Sequence, residues 1–333
     1  MKNKKKLSIS SNPIYTAFLE YAFPCAILQS DKRFQNLLYV SFLNLYWNDN
    51  SDCKLQLYNF NLFDYLLFDN RLIDKTIISI DSKITKKIKK WLDEGYYIYA
   101  FIDETKLKET QLTHFSNTIH ESLVYGYDDN FSSFSILNFD QERKFGTINI
   151  NQSEFKKSCL SNINETRFVL LKPSFDMVNV EVKLIEKRIG YYLTEKNIYV
   201  GKTRNILPND YKWGISIYNS LSKYINTNSK LDFRFFKLLE EHKVYLYKVY
   251  KYLQPLINDN KLDKDFLDLI EITKKMNFFV LRQRTTEDFG LKNKILILLS
   301  ELKTREVKLL QSLRMELQEY ITQHKEFNIE YLD

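Results

Sequence analysis

The chain predicts an α+β protein in two parts, and three observations carry that reading. Between Asp93 and Thr147, three apolar runs, Tyr96–Ile102, Ser122–Tyr127 and Phe134–Leu137, are separated by polar turns, the pattern of an antiparallel sheet. From about Asp176 the apolar spacing turns helical. Pro173 stands between the two regimes and closes the first. Residues 1–175 are therefore read as a sheet-containing half and residues 176–333 as a mainly helical one.

Each element follows from its own pattern. The opening MKNKKK is charged, but no apolar run follows it, so it is no signal peptide. In AFPCAILQSDKRFQNLLYVSFLNLYW, the residues Phe34, Leu37, Leu38, Phe42 and Leu45 recur at helical spacing and predict a helix over Asp31–Tyr46. Pro24 opens a helix at Cys25, or Ser30 or Asp31 caps one that starts later. The two alternatives differ chemically, because a thiol at a helix N-terminus has a lowered pKa. Lys54–Phe68 reads as a strand and then a short helix. Asp81–Asp93 reads as a helix with Ile84, Ile88, Trp91 and Leu92 inside, stopped by Gly95. Thr147–Ile150 and Arg167–Leu171 are further strands. Helical periodicity then runs through Val178–Leu193, Tyr211–Ile225, Phe233–Leu256, Asp263–Arg284 and Asn293–Thr322. In the last segment Leu302, Leu309, Leu313, Leu317 and Tyr320 keep one apolar stripe. Such long stripes would also serve as a homo-oligomer face.

Composition narrows the function. A chain of 333 residues exceeds one ordinary core, and 44% hydrophobic with 15% aromatic residues supply a sizeable interior. The net charge of +7 is spread thinly over many lysines, and no nucleic-acid motif accompanies it, so nucleic acid is not an expected partner. An acidic protein, such as a carrier protein, would be drawn by the same field. Cys25, Cys53 and Cys159 form no disulfide framework, and neither they nor the scattered His114, His120, His242 and His324 have metal-ligand spacing. The apolar stretches are too short and too interrupted for a membrane span. A reduced, cytoplasmic setting is expected.

One constellation has the right elements for chemistry. His120 enters one strand and Asn138 leaves the next, and in an antiparallel pair those ends meet. A His held by Asn or Asp, with a cysteine upstream, is a nucleophilic triad, and Cys25 is the candidate nucleophile. Plainer readings stand beside each residue. Cys25 would be a small buried hydrophobe, His120 a strand-end histidine bonded to backbone, and Asn138 a turn residue. Asp140 shares a strand face with Asn138 and competes with it as the residue that orients the ring. Cys53 in a polar turn and Cys159 behind two lysines are weaker candidates.

Cys25, YYIYAFID, HESLVYGYDD and FSILNF follow in that order, and the arrangement resembles the papain-like fold of the C39-type peptidases and the butirosin biosynthesis protein H N-terminal family. It is similar to bacterial proteins near nonribosomal peptide and polyketide clusters, typified by the amide-forming enzyme of closthioamide biosynthesis. His120 to Asp128 match that group's His-Asp/Glu-x-Leu-Val/Ile-Tyr-Gly-Tyr-Asp strand, and Asn138-Phe139 match the end of its next strand. WGISIYNSLSKYI and DFRFFKLLEEHK extend the resemblance into the helical half. The resemblance implies a papain-like catalytic domain over 1–175 and a helical domain over 176–333. It also implies Cys25 as nucleophile, His120 as base and Asn138 as orienter. The reaction it implies is amide formation: an acyl group leaves the pantetheine thioester of a carrier protein, rests on Cys25 and passes to a small-molecule amine, with no further cofactor. A cysteine peptidase or amidase, and a non-catalytic binding protein on the same fold, are the alternatives. TAFLEYAFP lacks the upstream Gln with which papain-like peptidases bind the oxyanion, and Gln29 lies downstream. That departure counts against peptide cleavage more than against thioester chemistry.

Overall fold

The computed structural model describes residues 3–32, 38–40, 43–58, 71–73, 83–110, 119–173, 181–196, 211–257, 261–286 and 290–324. The chain divides into two compact units, one of residues 1–35 and 61–178 and the other of residues 36–60 and 179–333. A single cut at residue 175 misses the segment 36–60, which belongs with the helical unit.

In the first unit, β1 (Lys4–Lys6), β4 (Arg71–Ile73), β5 (Tyr97–Asp103), β6 (Ile119–Asp128), β7 (Ser133–Phe139), β8 (Phe145–Asn151) and β9 (Arg167–Leu171) form a sheet. Its order is β4-β9-β5-β6-β7-β8, with β1 added to β6, and the neighbours pair antiparallel. The three central runs of the sequence are thus adjacent strands. Alternation gives the sheet two faces. Ile98, Ala100 and Ile102 of β5 face a core closed by α2 (Ile84–Asp93) and α3 (Gln152–Ser161). Tyr97, Tyr99 and Phe101 face the other way. Ile84, Ile88 and Leu92 are fully buried on one side of α2, each contributing about 1.5–3 kcal/mol by burial. Gly95 at φ +89° ends that helix. The Tyr96 N–H reaches the Trp91 carbonyl and the Gly95 N–H the Leu92 carbonyl, a Schellman closure that needs the left-handed residue.

The segment around Cys25 departs from expectation. α1 spans Leu19–Gln29 with Pro24 inside it, so the start at Cys25 is not used, whereas Lys32, directly after Asp31, is helical, in line with the later start. Residues 38–40 are helical, but Asn44–Trp47 is a strand, β2, and not the end of a helix. β2 lies between β3 (Leu55–Tyr58) and β10 (Lys212–Trp213) in a small second sheet. Its aromatic side chains explain the change: Tyr46 stacks 5.2 Å from Trp213, and Trp47 packs edge-on at 5.7 Å to Phe235. The short helix expected after residue 58 falls outside the described residues.

The second unit is otherwise helical, as its periodicity predicts. It contains α4 (Val182–Leu193), α5 (Ile217–Thr227), α6 (Phe233–Ile257), α7 (Asp263–Thr286) and α8 (Gly290–Gln323). α6, α7 and α8 pack in succession, and α4 and α5 pack on α8. Leu302, Leu309, Leu313 and Leu317 of the predicted stripe are buried. Among them sits a sealed ion pair, Lys243 with Glu306, both 0% exposed. Glu306 also accepts hydrogen bonds from the Tyr192 and Tyr218 hydroxyls. The Lys243 ammonium lies 3.0 Å from His242 Nδ1, while His242 Nε2 lies 3.1 Å from the Leu43 carbonyl. Nε2 is therefore the protonated nitrogen, and the ring is neutral. Burial, and then the neighbouring Lys243, hold its pKa well below that of a free imidazole.

Candidate functional site

His120 is placed by register. It stands opposite Ile102 of β5, and so on the sheet face that carries Ile98, Ala100 and the α2–α3 core. Glu104 follows β5 by one residue and opens a single 3-10 turn, Glu104–Lys106. Two positions beyond Ile102, it is the diagonal neighbour of His120 on the same face. Its carboxylate Oε2 lies 2.7 Å from His120 Nδ1, with Glu104 at 0% exposure and the His120 side chain at 32%. The two atoms lie at hydrogen-bond length, although among the described residues neither Nδ1 nor either Glu104 oxygen has an aligned hydrogen bond. Nδ1 is buried, so the exposed edge of the ring is its Nε2 side. Burial pushes the ring toward neutrality, but Glu104, assisted by Glu121, outweighs it and raises the His120 pKa above the ordinary value.

The turn that carries Glu104 is tied down. Asp103 caps it, accepting from the Thr105 N–H at 3.1 Å, and Ser161 Oγ donates to the other Asp103 oxygen at 2.8 Å. Burial alone would raise the Asp103 pKa, but these bonds and Lys106 at 3.7 Å lower it. Ser158 Oγ donates to the Asp103 carbonyl at 2.6 Å.

The expected triad Cys25–His120–Asn138 is not assembled. Asn138 is fully buried, and its amide donates to Ser122 Oγ at 2.8 Å and to the Glu121 carbonyl at 3.0 Å, while its oxygen accepts from the Phe139 N–H at 2.7 Å. It clips β6 to β7 where their ladder ends, and does not reach the His120 ring. Asp140 does not orient the ring either; its carboxylate accepts from the Lys144 N–H at 2.9 Å and shapes the β7–β8 turn.

Cys25 is the seventh of eleven residues in α1 and is 0% exposed. Its N–H lies inside the helical ladder, where it is no oxyanion donor. Phe23, two residues earlier, packs 5.3 Å from Tyr99 and 6.3 Å from Phe145, on the face of the sheet opposite His120. Cys53 is partly exposed in its turn, and Cys159 is buried in α3, where burial pushes its thiol pKa up. The three cysteines form no disulfide.

Glu104 is the partner of His120 that sequence reasoning missed. The signal was present: antiparallel ends meet on both sides of β6, and the exit of β5 carries Asp103-Glu104 just as the exit of β7 carries Asn138. Among the described residues, no three His, Cys, Asp or Glu side chains stand together as a metal site, and no helix is long and apolar enough to cross a membrane. Compared with known protein families and with curated proteins, the chain matches none.

Proposed function

We propose that the first unit is a papain-like scaffold on which an acyl group passes from a carrier-protein thioester directly to an amine, with His120 as general base and Glu104 as its orienting acid. The observation that carries this reading is the His120–Glu104 contact of 2.7 Å, with the rest of the ring open at its Nε2 edge. A histidine fixed at Nδ1 by a buried carboxylate, with its other nitrogen accessible, is the arrangement general base catalysis uses. Substrate class comes from the HESLVYGYDD and FSILNF strands and the resemblance they carry.

Chemically, the amine nitrogen attacks the thioester carbonyl and gives a proton to His120 Nε2. The C–N bond forms, the C–S bond breaks, and His120 returns the proton to the departing pantetheine thiolate. Glu104 stabilises the imidazolium while the ring holds that proton. No acyl-enzyme is needed, so Cys25 is a core residue in this reading. Three thiols without a disulfide fit a reduced cytoplasmic setting.

The test is incubation with an acyl-loaded carrier protein and a primary amine. Amide should form, Cys25→Ala should form it as well, and His120→Ala should be slower by about 10²–10⁴-fold. An acyl mass on Cys25, with product lost in Cys25→Ala, would restore the covalent route. Free acid in place of amide would indicate a hydrolase, and no turnover of either kind a binding protein.

A further inference from the structure

Glu104 has no aligned hydrogen bond of its own to hold its carboxylate in place, so its position is inherited from its backbone. That backbone is fixed at both peptide planes. On the far side, the Leu107 N–H donates to the Glu104 carbonyl at 3.0 Å. On the near side, Ser158 Oγ donates to the Asp103 carbonyl at 2.6 Å. The Asp103 carbonyl and the Glu104 N–H share one planar peptide unit, so this bond sets the plane from which the Glu104 side chain departs. Ser158 is fully buried inside α3, a position where serine is a poorer helix former than alanine. Its hydroxyl is directed at a carbonyl outside its own helix. Ser161, three residues on, reaches the Asp103 carboxylate from the same side.

We propose that Ser158 is a positioning residue for the His120–Glu104 pair, with Ser161 and Asp103 supporting it. The inference rests on reading that pair as the acid–base centre, but its consequence is visible without any substrate. Among the described residues, the charges that act on His120 are Glu104 from the turn and Glu121 from its own strand. Asp103 and Lys106 flank Glu104, and Lys108 is paired with Glu154 of α3 at 3.1 Å. Of these, Glu104 makes the direct contact, so a small displacement of its turn alters the proton affinity of the ring.

The experiment is an NMR titration of the imidazoles of the full chain. Its four histidines give four sets of ring signals, of which that of His242 should stay flat, and His120→Gln identifies the one that matters. Glu104→Gln should lower the His120 pKa and so mark complete loss of the contact. Ser158→Ala should lower it part of the way, and Ser158→Thr, which keeps the hydroxyl, should return it to the wild-type value. A mere packing role for Ser158 would shift stability and leave that curve in place. Should Ser158→Ala not fold, Ser161→Ala is expected to move the curve in the same direction by less. Wild-type titration in both serine-to-alanine variants, beside a lowered value in Glu104→Gln, would overturn the proposal. An unchanged value in Glu104→Gln would overturn the pair itself. Because no carrier or amine is present, a failure of the proposed acyl transfer is a separate result.

Discussion

Each unit contains a carboxylate buried against a basic side chain, and the two are built on opposite terms. Glu306 in the helical unit is saturated: Lys243 and the Tyr192 and Tyr218 hydroxyls meet it, and the ammonium is further held by His242 and by the faces of both tyrosine rings. Among the described residues, Glu104 in the sheet unit meets one partner, a histidine that reaches the surface. A saturated buried pair has no proton to exchange with solvent and fixes how helices pack. A half-satisfied pair at the surface can take and release a proton at little structural cost. On the proposed reading, the difference separates a device for folding from one for chemistry.

The sealed pair should give the largest response. Glu306→Ala leaves the Lys243 ammonium buried among rings, and Lys243→Ala leaves the carboxylate alone; either should cost about 3–5 kcal/mol. Burial lowers the Lys243 pKa while Glu306 opposes the shift, so a Glu306 variant also favours a neutral amine at that position. Replacing both by Lys243→Met with Glu306→Leu should regain most of the loss, less whatever the two stranded tyrosine hydroxyls cost. Denaturant midpoints of the three variants measure this. A single variant as stable as wild type would show that the pair is not sealed.

The open pair should answer in rate. His120→Ala should lower amide formation by about 10²–10⁴-fold and cost less stability than Glu306→Ala, because the space it vacates lies at the surface and admits water to Glu104. Glu104→Gln should act in the same direction by less. If His120→Ala unfolds the protein as readily as Glu306→Ala does, the two pairs are alike and the contrast fails.

Asn138 gives an intermediate case, because its buried amide is structural although it lies on a strand next to the site. Asn138→Ala strips Ser122 Oγ and the Glu121 carbonyl of their shared donor and should cost about 1–3 kcal/mol. The His120 titration should stay where it is in wild type. A shifted His120 pKa in Asn138→Ala would return Asn138 to the role of orienter.

These residues also show what was legible in the chain. Period-two runs placed β5, β6 and β7 because strand alternation and polar turns are local properties. They placed His120 at a strand mouth for the same reason. Choosing its partner needed side-chain contacts that one sequence does not contain: Asn138 and Glu104 are both strand-exit residues diagonal to His120, and Asn138 spends its amide on Ser122 and the Glu121 carbonyl while Glu104 lies 2.7 Å from the ring. α1 was misread because Pro24 suggested a helix start, although it sits inside a helix that is buried at nine of its eleven positions. β2 was misread because Phe42 and Leu45 continued a helical spacing, whereas packing of Tyr46 and Trp47 against distant aromatic residues overrides local periodicity.

The smallest expected effect is the dependence on pH, and it sets the two pairs apart most sharply. In the folded protein the His120 pKa lies above its ordinary 6.5, because Glu104 and Glu121 outweigh burial. A histidine whose pKa is raised on folding contributes stability that is fully present below the unfolded value, and that contribution is lost as pH rises through the folded value. A general base works only when deprotonated, so activity should increase across the same interval. Stability from this pair and turnover by it should therefore run in opposite directions with pH. Glu104→Gln should move the activity limb to lower pH and flatten the stability difference. His242 should add nothing there, since burial and Lys243 keep it neutral throughout that range. The check is a pH–rate profile measured beside denaturant midpoints at each pH, for wild type and Glu104→Gln. An activity limb that rises at the ordinary imidazole pKa and does not move in Glu104→Gln would mean that the Glu104 contact does not tune the base.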